Sequence, residues 1–426
     1  MPDEPHNDSD MSSEFSLFRG IKNASFLAAG NIVSQSISFV GFIYIARLLG
    51  PVHYGVYVTV GAFVGMFDIL LLGGLDKIII REGSKDLSAM HISLEKTIGI
   101  RNFLILLSIF ACIIASFFAP YPAQTKLFIL ILSFRLANSG LYGFLGTIYQ
   151  ATEKMKYISY LNILDRTLFV VLSITFLYLG YGLLSVFLVA LLAHFFTLFI
   201  SFRISRKLVK FKFFSKVQFD MALLKSAFVF SLLSFLAILV TRIDVLMISF
   251  LGTSKDVGIY GVAYKLAQEG IMLRNVIAMA FFPIFVRLFH NQKVRGTKLI
   301  KYSLFFFAAI FFLSFVASFF VQDIVNLVFG AEYQASGEIL RVLIFFLAFS
   351  WATLPFTIAA QATHCEKYIL YAIAVMAAMN IPLNYIFFMK YGVIGIAYST
   401  LVVFSIGGFL ISFITYRVMK KREYLI

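Results

Sequence analysis

The chain has 426 residues, 61% of them hydrophobic and 13% charged, with a formal net charge of +15. A surface so poor in charge cannot face water, which excludes a soluble enzyme or a soluble nucleic-acid-binding protein. Apolar stretches of about 20 residues or more predict bilayer-spanning helices, not the short alternating segments of a barrel.

Residues 1–22 are polar and mixed in charge, and read as a cytoplasmic tail without a removable signal. Six spans follow at 24–49, 55–80, 97–119, 126–150, 157–179 and 182–203, giving an N-terminal lobe over 23–204. Gly50-Pro51 ends the first span and Pro120 the third, and Gly180-Tyr181-Gly182 forms the hairpin before the sixth. A basic linker occupies 205–221. Six further spans at 222–250, 257–286, 300–328, 337–361, 367–389 and 393–417 make a C-terminal lobe over 222–418, followed by a tail at 419–426. Cys112 and Cys365 imply neither a disulfide framework nor a metal site.

The halves repeat one another. Leu49-Gly50 with Gly55-Val56-Tyr57 returns as Leu251-Gly252 with Gly258-Ile259-Tyr260. Gln150-Ala151-Thr152 returns as Gln361-Ala362-Thr363, and Tyr181-Gly182 as Tyr391-Gly392. An even number of spans per half gives the repeats one orientation. The expected fold class is therefore an all-α polytopic membrane protein, with about twelve transmembrane helices in two parallel six-helix lobes around a central cavity.

Loop charge alternates along the chain. One side carries Arg19 and Lys22; Arg81, Lys85 and Lys96; Lys154 and Lys156; Arg203, Arg206, Lys207, Lys210, Lys212 and Lys216; Arg287, Lys293, Arg295 and Lys298; Lys367; and Arg417, Lys420, Lys421 and Arg422. The other carries little beyond Lys126, Lys255 and Lys390. The basic side is the predicted cytoplasmic side, which holds both termini of a multi-pass protein of the cell membrane. The net charge thus reports topology and does not point to nucleic acid. The stretch 203–216 is expected to lie along the anionic inner leaflet.

Ionisable residues inside spans cost roughly 2.5–3.5 kcal/mol each near the bilayer centre, so they face protein or a wet cavity. Arg47, Arg135, Arg166, Arg242, Lys265 and Arg274 are candidates for a substrate cavity. Asp68, Asp165, Asp244 and Glu269 are candidates for ion coupling or helix pairing. Lys265 and Glu269 stand four apart and can pair on one helix face. Asp165 and Arg166 are adjacent, as are Arg242 and Asp244 nearly so, and each needs a partner on another helix or a ligand. The basic residues are mostly arginine, which keeps its charge when desolvated and offers a fork to phosphate or carboxylate oxygens. His194, within the sixth span, reads as a helix-contact residue. No phosphate loop G-x-x-x-x-G-K-[ST], no H-E-x-x-H and no G-x-S-x-G occurs.

Several strings together resemble the polysaccharide-transporter family, the Wzx-type lipid-linked oligosaccharide flippases of the multidrug/oligosaccharidyl-lipid/polysaccharide exporter superfamily. They are Ala46-Arg47-Leu48-Leu49-Gly50-Pro51 running into Tyr54-Gly55-Val56-Tyr57, Gly73-Gly74-Leu75-Asp76 leading to Ile80-Arg81-Glu82, Gln150-Ala151-Thr152, and Asp244-Val245-Leu246 ahead of Leu251-Gly252. The resemblance implies alternating access between two lobes and a substrate of oligosaccharide on a polyprenyl (pyro)phosphate, for surface polysaccharide or glycan biosynthesis. It implies no enzyme activity and no cofactor. The partners it implies are the lipid-linked substrate, membrane lipid and glycan-assembly proteins, with H⁺ or Na⁺ as candidate coupling ions. Two other functions fit a chain of this class less well. A multidrug-type efflux antiporter would call for an acidic interior, and a membrane polysaccharide polymerase or ligase for a large outward loop.

Overall fold

Glycine followed by proline breaks the first long helix where the sequence predicts it. In the computed structural model, which describes residues 8–71, 74–85, 90–213, 215, 217, 221–291, 296–363, 365–422 and 424, helix α1 (Asp8–Met66) turns at Gly50, with φ 68° and ψ 170°. That backbone state suits only glycine, and Pro51 then restarts the helix without the amide hydrogen a continuous helix would need. Gly73, Lys216, Lys293 and Arg295, named above, lie outside the described residues.

The remaining helices are α2 (Gly74–Lys85), α3 (Met90–Phe118), α4 (Ala123–Ser133), α5 (Arg135–Ala151), α6 (Lys156–Tyr178), α7 (Gly182–Leu208), α8 (Met221–Leu251), α9 (Ser254–Asn291), α10 (Gly296–Phe329), α11 (Gln334–Leu343), α12 (Phe346–Ala352), α13 (Leu354–Ala362), α14 (Ile369–Tyr391) and α15 (Val393–Lys421). Among the described residues, 9 helical segments are long and apolar enough to span a membrane. One of these, Phe26–Leu71, contains the Gly50 turn and serves as two spans. With α8 and α9 the described residues supply the twelve spans of an all-α polytopic membrane protein. Large apolar side chains stand fully outward, Phe118 at 86% and Leu327 at 80% exposure, as lipid-facing residues must.

The chain forms two compact units, Met1–Ile45 with Phe67–Ser231, and Ala46–Met66 with Leu232–Ile426. In the first unit, the first limb of α1 packs on α6 through small residues. A side chain on Gly30 would overlap Ser159, and one on Gly41 would overlap Val170, so only glycine permits this approach. Its core is built on Ile79, Met90, Leu94, Ile98, Phe144, Leu145 and Ile148. The chain leaving α7 folds back into that core. Phe211 is buried there and meets the rings of Phe144 and Phe202 edge-on, and the Asn102 side-chain amide donates to the Phe213 carbonyl at 3.2 Å.

In the second unit, the second limb of α1 lies against the start of α9. Pro51 and Gly55 face Ser254 and Gly258, while Val58 and Tyr54 face Gly261. The two copies of the repeated glycine motif therefore touch each other. The contact is deep, because a Cβ on Gly55 would stand 2.9 Å from the Gly258 nitrogen and overlap the Ser254 carbonyl oxygen. Tyr333, buried beside it, donates to the Ala46 carbonyl at 2.7 Å, and Ser336 donates to the Ile259 carbonyl at 2.8 Å. The Tyr333 bond and the glycine contact tie the 46–66 segment to the second unit, although chain order alone would group it with the first half.

Candidate functional site: the intramembrane polar groups

In the first unit the intramembrane charges are mostly paired. Asp68 sits on the short 3-10 turn Phe67–Leu71, and Arg135 opens α5 just past the irregular residue Phe134. The two side chains meet at 3.3 Å and are each about a third exposed. Asp68 keeps one carboxylate oxygen buried without a partner among the described residues. Asp165 on α6 lies 2.7 Å from the ring Nδ1 of His194 on α7 and accepts from the Thr197 hydroxyl at 3.1 Å. Asn138 on α5 donates to the His194 carbonyl at 2.6 Å. His194 is thus a residue of the α5–α6–α7 contact, as the sequence suggests.

Arg101 and Asp76 form an ion pair in which Arg101 is only 1% exposed. Removing one partner leaves the other charge buried and uncompensated. Arg101→Ala is expected to lower stability by about 3–5 kcal/mol, read as a lower unfolding temperature of the detergent-purified protein. Arg101→Met combined with Asp76→Asn should recover much of that loss, because it removes both charges and keeps the volume.

Arg166 stands next to Asp165 in the chain. It is exposed and has no hydrogen bond or ion pair among the described residues. Arg47, in the second unit, is also exposed and lacks such a partner among the described residues. Arg242 is exposed as well.

The other candidates of the second unit are satisfied within it. Lys265 and Glu269 pair at 2.9 Å across one helical turn. Arg274 donates to the Ser350 carbonyl at 2.8 Å and to the hydroxyls of Thr353 and Thr357 at 2.9 and 3.2 Å. A cation held by neutral oxygens in this way braces α9 against α12 and α13.

Asp244 is the exception among the acids. It is 1% exposed, and its hydrogen-bond partners among the described residues are neutral. Its carboxylate accepts from the Tyr260 hydroxyl at 2.8 Å, the Asn384 amide at 2.8 Å and the Thr400 hydroxyl at 2.9 Å, one donor from each of α9, α14 and α15. Asn380, one turn from Asn384, donates to the Val240 carbonyl at 3.2 Å. The side-chain oxygens of Asn380, Asn384, Ser399 and Tyr264 are buried with no partner among the described residues. Just toward the α8 start lies an apolar cluster of Val240, Met376, Ala377 and Val403. A buried carboxylate ringed by neutral donors in a low-dielectric setting suits a proton or a small hard cation. Rotating the Asn384 amide would present oxygen where nitrogen now stands, so the same residues can serve the filled and the empty state. No group of three or more His, Cys, Asp or Glu side chains gathers as a metal site among the described residues.

Sequence reasoning found Asp244 but missed its partners. A signal was present: Asn380 and Asn384 stand four apart in an otherwise apolar span, with Thr400 in the next. Neutral polar residues carry little penalty individually, so depth alone does not single them out.

Comparison of the sequence with curated proteins gives no significant match. Among solved structures, the chain is similar to the lipid II flippase MurJ in an inward closed conformation. That match has a TM-score of 0.73 and 17% identity, over 91% of this chain and 86% of that one. It is also similar to a multidrug resistance MATE family transporter of the MOP superfamily in an inward-facing conformation, at TM-score 0.69 and 17% identity, over 92% and 99% of the two chains. A MOP superfamily transporter from Pyrococcus furiosus, described as having a binding pocket of reverse polarity, matches at TM-score 0.61 and 16% identity, over 94% and 95%. At such identities these likenesses establish the fold, that of two-lobed membrane transporters. The sequence profile of one family covers residues 21–289, well over half of the chain, and by that match this is a member of the polysaccharide biosynthesis protein family.

Proposed function

We propose that this membrane flippase or exporter moves a polyprenyl (pyro)phosphate-linked oligosaccharide from the inner to the outer leaflet by alternating access, for surface polysaccharide or glycan assembly, and that it is not an enzyme. The observation that carries the reading is the pair of span residues Arg47 and Arg166. Both are exposed arginines without a partner among the described residues, in a chain that pairs or satisfies Arg101, Arg135, Lys265 and Arg274. An arginine left unneutralised inside a span is costly unless a ligand or a wet path receives it, and a phosphate ester is the ligand its fork fits. Membership of the polysaccharide biosynthesis family supports the same substrate class. The distribution of Lys and Arg supports an orientation with both termini cytoplasmic in the cell membrane. Asp244 supports coupling to H⁺ or Na⁺.

The test is a flipping assay in proteoliposomes with defined polyprenyl-linked sugars, with and without an ion gradient. Arg47→Ala and Arg166→Ala are each expected to lower the initial rate roughly tenfold to a hundredfold, the worth of one charge-assisted hydrogen bond. Membrane insertion and unfolding temperature should stay near those of the wild type. Full activity of both variants, or transport of cationic drugs in place of the lipid-linked sugar, would overturn the reading.

A further inference from the structure

An apolar groove of about 380 Å³ runs along the outside of the first unit. It is lined by Leu141 and Leu145 of α5, by Phe195, Leu198, Phe199 and Phe202 of α7, and by Phe213 beyond α7. Phe195, Phe199 and Phe202 fall on one stripe of the helix at spacings of four and three. Phe199 is 54% exposed, so the groove opens to its surroundings.

Its rim is basic. The Arg203 guanidinium lies 4.9 Å from the centre of the Phe199 ring, and that of Arg206 lies 5.6 Å from the Phe202 ring. Two of the rings that line the groove thus hold the two cations at its mouth. Lys207, Lys210 and Lys212 follow in the next turn and the returning chain, all exposed. None of these five side chains has a carboxylate within ion-pair distance among the described residues. Glu95 accepts instead from the Lys212 backbone N–H at 3.2 Å and fixes the returning chain that brings Phe213 over the groove.

We infer that this groove is a binding site for an anionic phospholipid, with an acyl chain along the seven apolar side chains and the phosphate on Arg203 and Arg206. The dimensions favour that occupant. From Phe195 to Phe202 the helix rises about 10 Å, which lies within one leaflet of a hydrocarbon core about 30 Å thick. An acyl chain ends within that depth, whereas a long polyprenyl tail would overrun it. The charges favour it too, because basic residues at a membrane surface each attract an anionic headgroup by about a factor of five. The inference does not depend on the transport substrate, and its test involves no transport.

The test is native mass spectrometry of the full-length detergent-purified protein with phosphatidylglycerol, with phosphatidylethanolamine of the same chains, and with short-chain phosphatidylglycerol. The wild type is expected to retain long-chain phosphatidylglycerol over both others. The double variant Arg203→Gln/Arg206→Gln should lower that retention roughly twentyfold and leave phosphatidylethanolamine unchanged. The control Lys420→Gln/Lys421→Gln removes the same charge elsewhere and should retain the lipid. Equal loss in the control would reduce the effect to net charge and overturn the site. Equal binding of the short-chain lipid would remove the role of the groove. Displacement of phosphatidylglycerol by polyprenyl phosphate, abolished in Arg203→Gln/Arg206→Gln, would make the occupant the carrier lipid and refute the phospholipid assignment.

Discussion

Gly55→Ala is expected to lower the unfolding temperature markedly, whereas Gly61→Ala, two turns along the same helix limb, should leave it unchanged or raise it. A Cβ on Gly61 would meet nothing within 4 Å, and alanine favours the helix by about 1 kcal/mol. A Cβ on Gly55 would overlap a backbone carbonyl, that of Ser254, which cannot swing aside as a side chain would. Overpacking of this kind costs about 1–3 kcal/mol, and more where the obstacle is main chain. Gly258→Ala should behave alike, since its Cβ would overlap the Pro51 carbonyl oxygen and stand 3.1 Å from the Gly55 nitrogen. The two glycines form one contact. Once the segments have been forced apart by the first methyl group, the second adds little, so the double variant should be clearly less destabilised than the sum of the singles. Additive losses in thermal unfolding would show that the two positions are strained independently and that the segments do not meet.

The second large effect is expected at Asp244. Asp244→Ala strips the acceptor from Tyr260 and Asn384, each at about 1–3 kcal/mol, while Thr400 keeps the Ile396 carbonyl at 2.9 Å. Poor expression or a steep loss of thermal stability should follow. Asp244→Asn keeps the shape and most of the bonding, so it should fold, and it separates structure from ion binding. If a cation is drawn to this carboxylate, Na⁺ should raise the unfolding temperature of the wild type in proportion to the logarithm of its concentration once binding saturates. The Asp244→Asn protein should show no such rise. A Na⁺ response that survives in Asp244→Asn would place the ion elsewhere. No response in either protein, together with pH-dependent transport lost in Asp244→Asn, would identify the proton as the coupling ion.

Particular residues show how much was legible beforehand. The Gly50-Pro51 break, the Gly180–Gly182 and Gly392 hairpins and the Lys265–Glu269 pair follow from local rules, because each depends on residues within a turn of one another. The His194 contact was legible as a type but not as a partner. Arg274 looked like a cavity residue by depth. Its partners are Ser350, Thr353 and Thr357, about eighty positions away, and nothing in the spacing of arginine and hydroxyl residues announces that meeting. Met376 and Ala377, which repeat symmetry aligns with Asp165 and Arg166, are core residues beside Val240 and Val403. At these aligned positions the second half has an apolar contact where the first has a polar one.

Residue order alone carries the class, the number of spans and their punctuation. Each of these is a response of a short segment to the bilayer, and the bilayer acts on every segment in the same way. Folding settles which arginines are neutralised, that Asp244 is ringed by neutral donors from three helices, and that the two copies of the glycine motif pack on one another. Those are properties of pairs far apart in the chain. They are set by how closely backbones approach and which polar groups they strand away from water, and hydropathy, a sum over single residues, does not contain them.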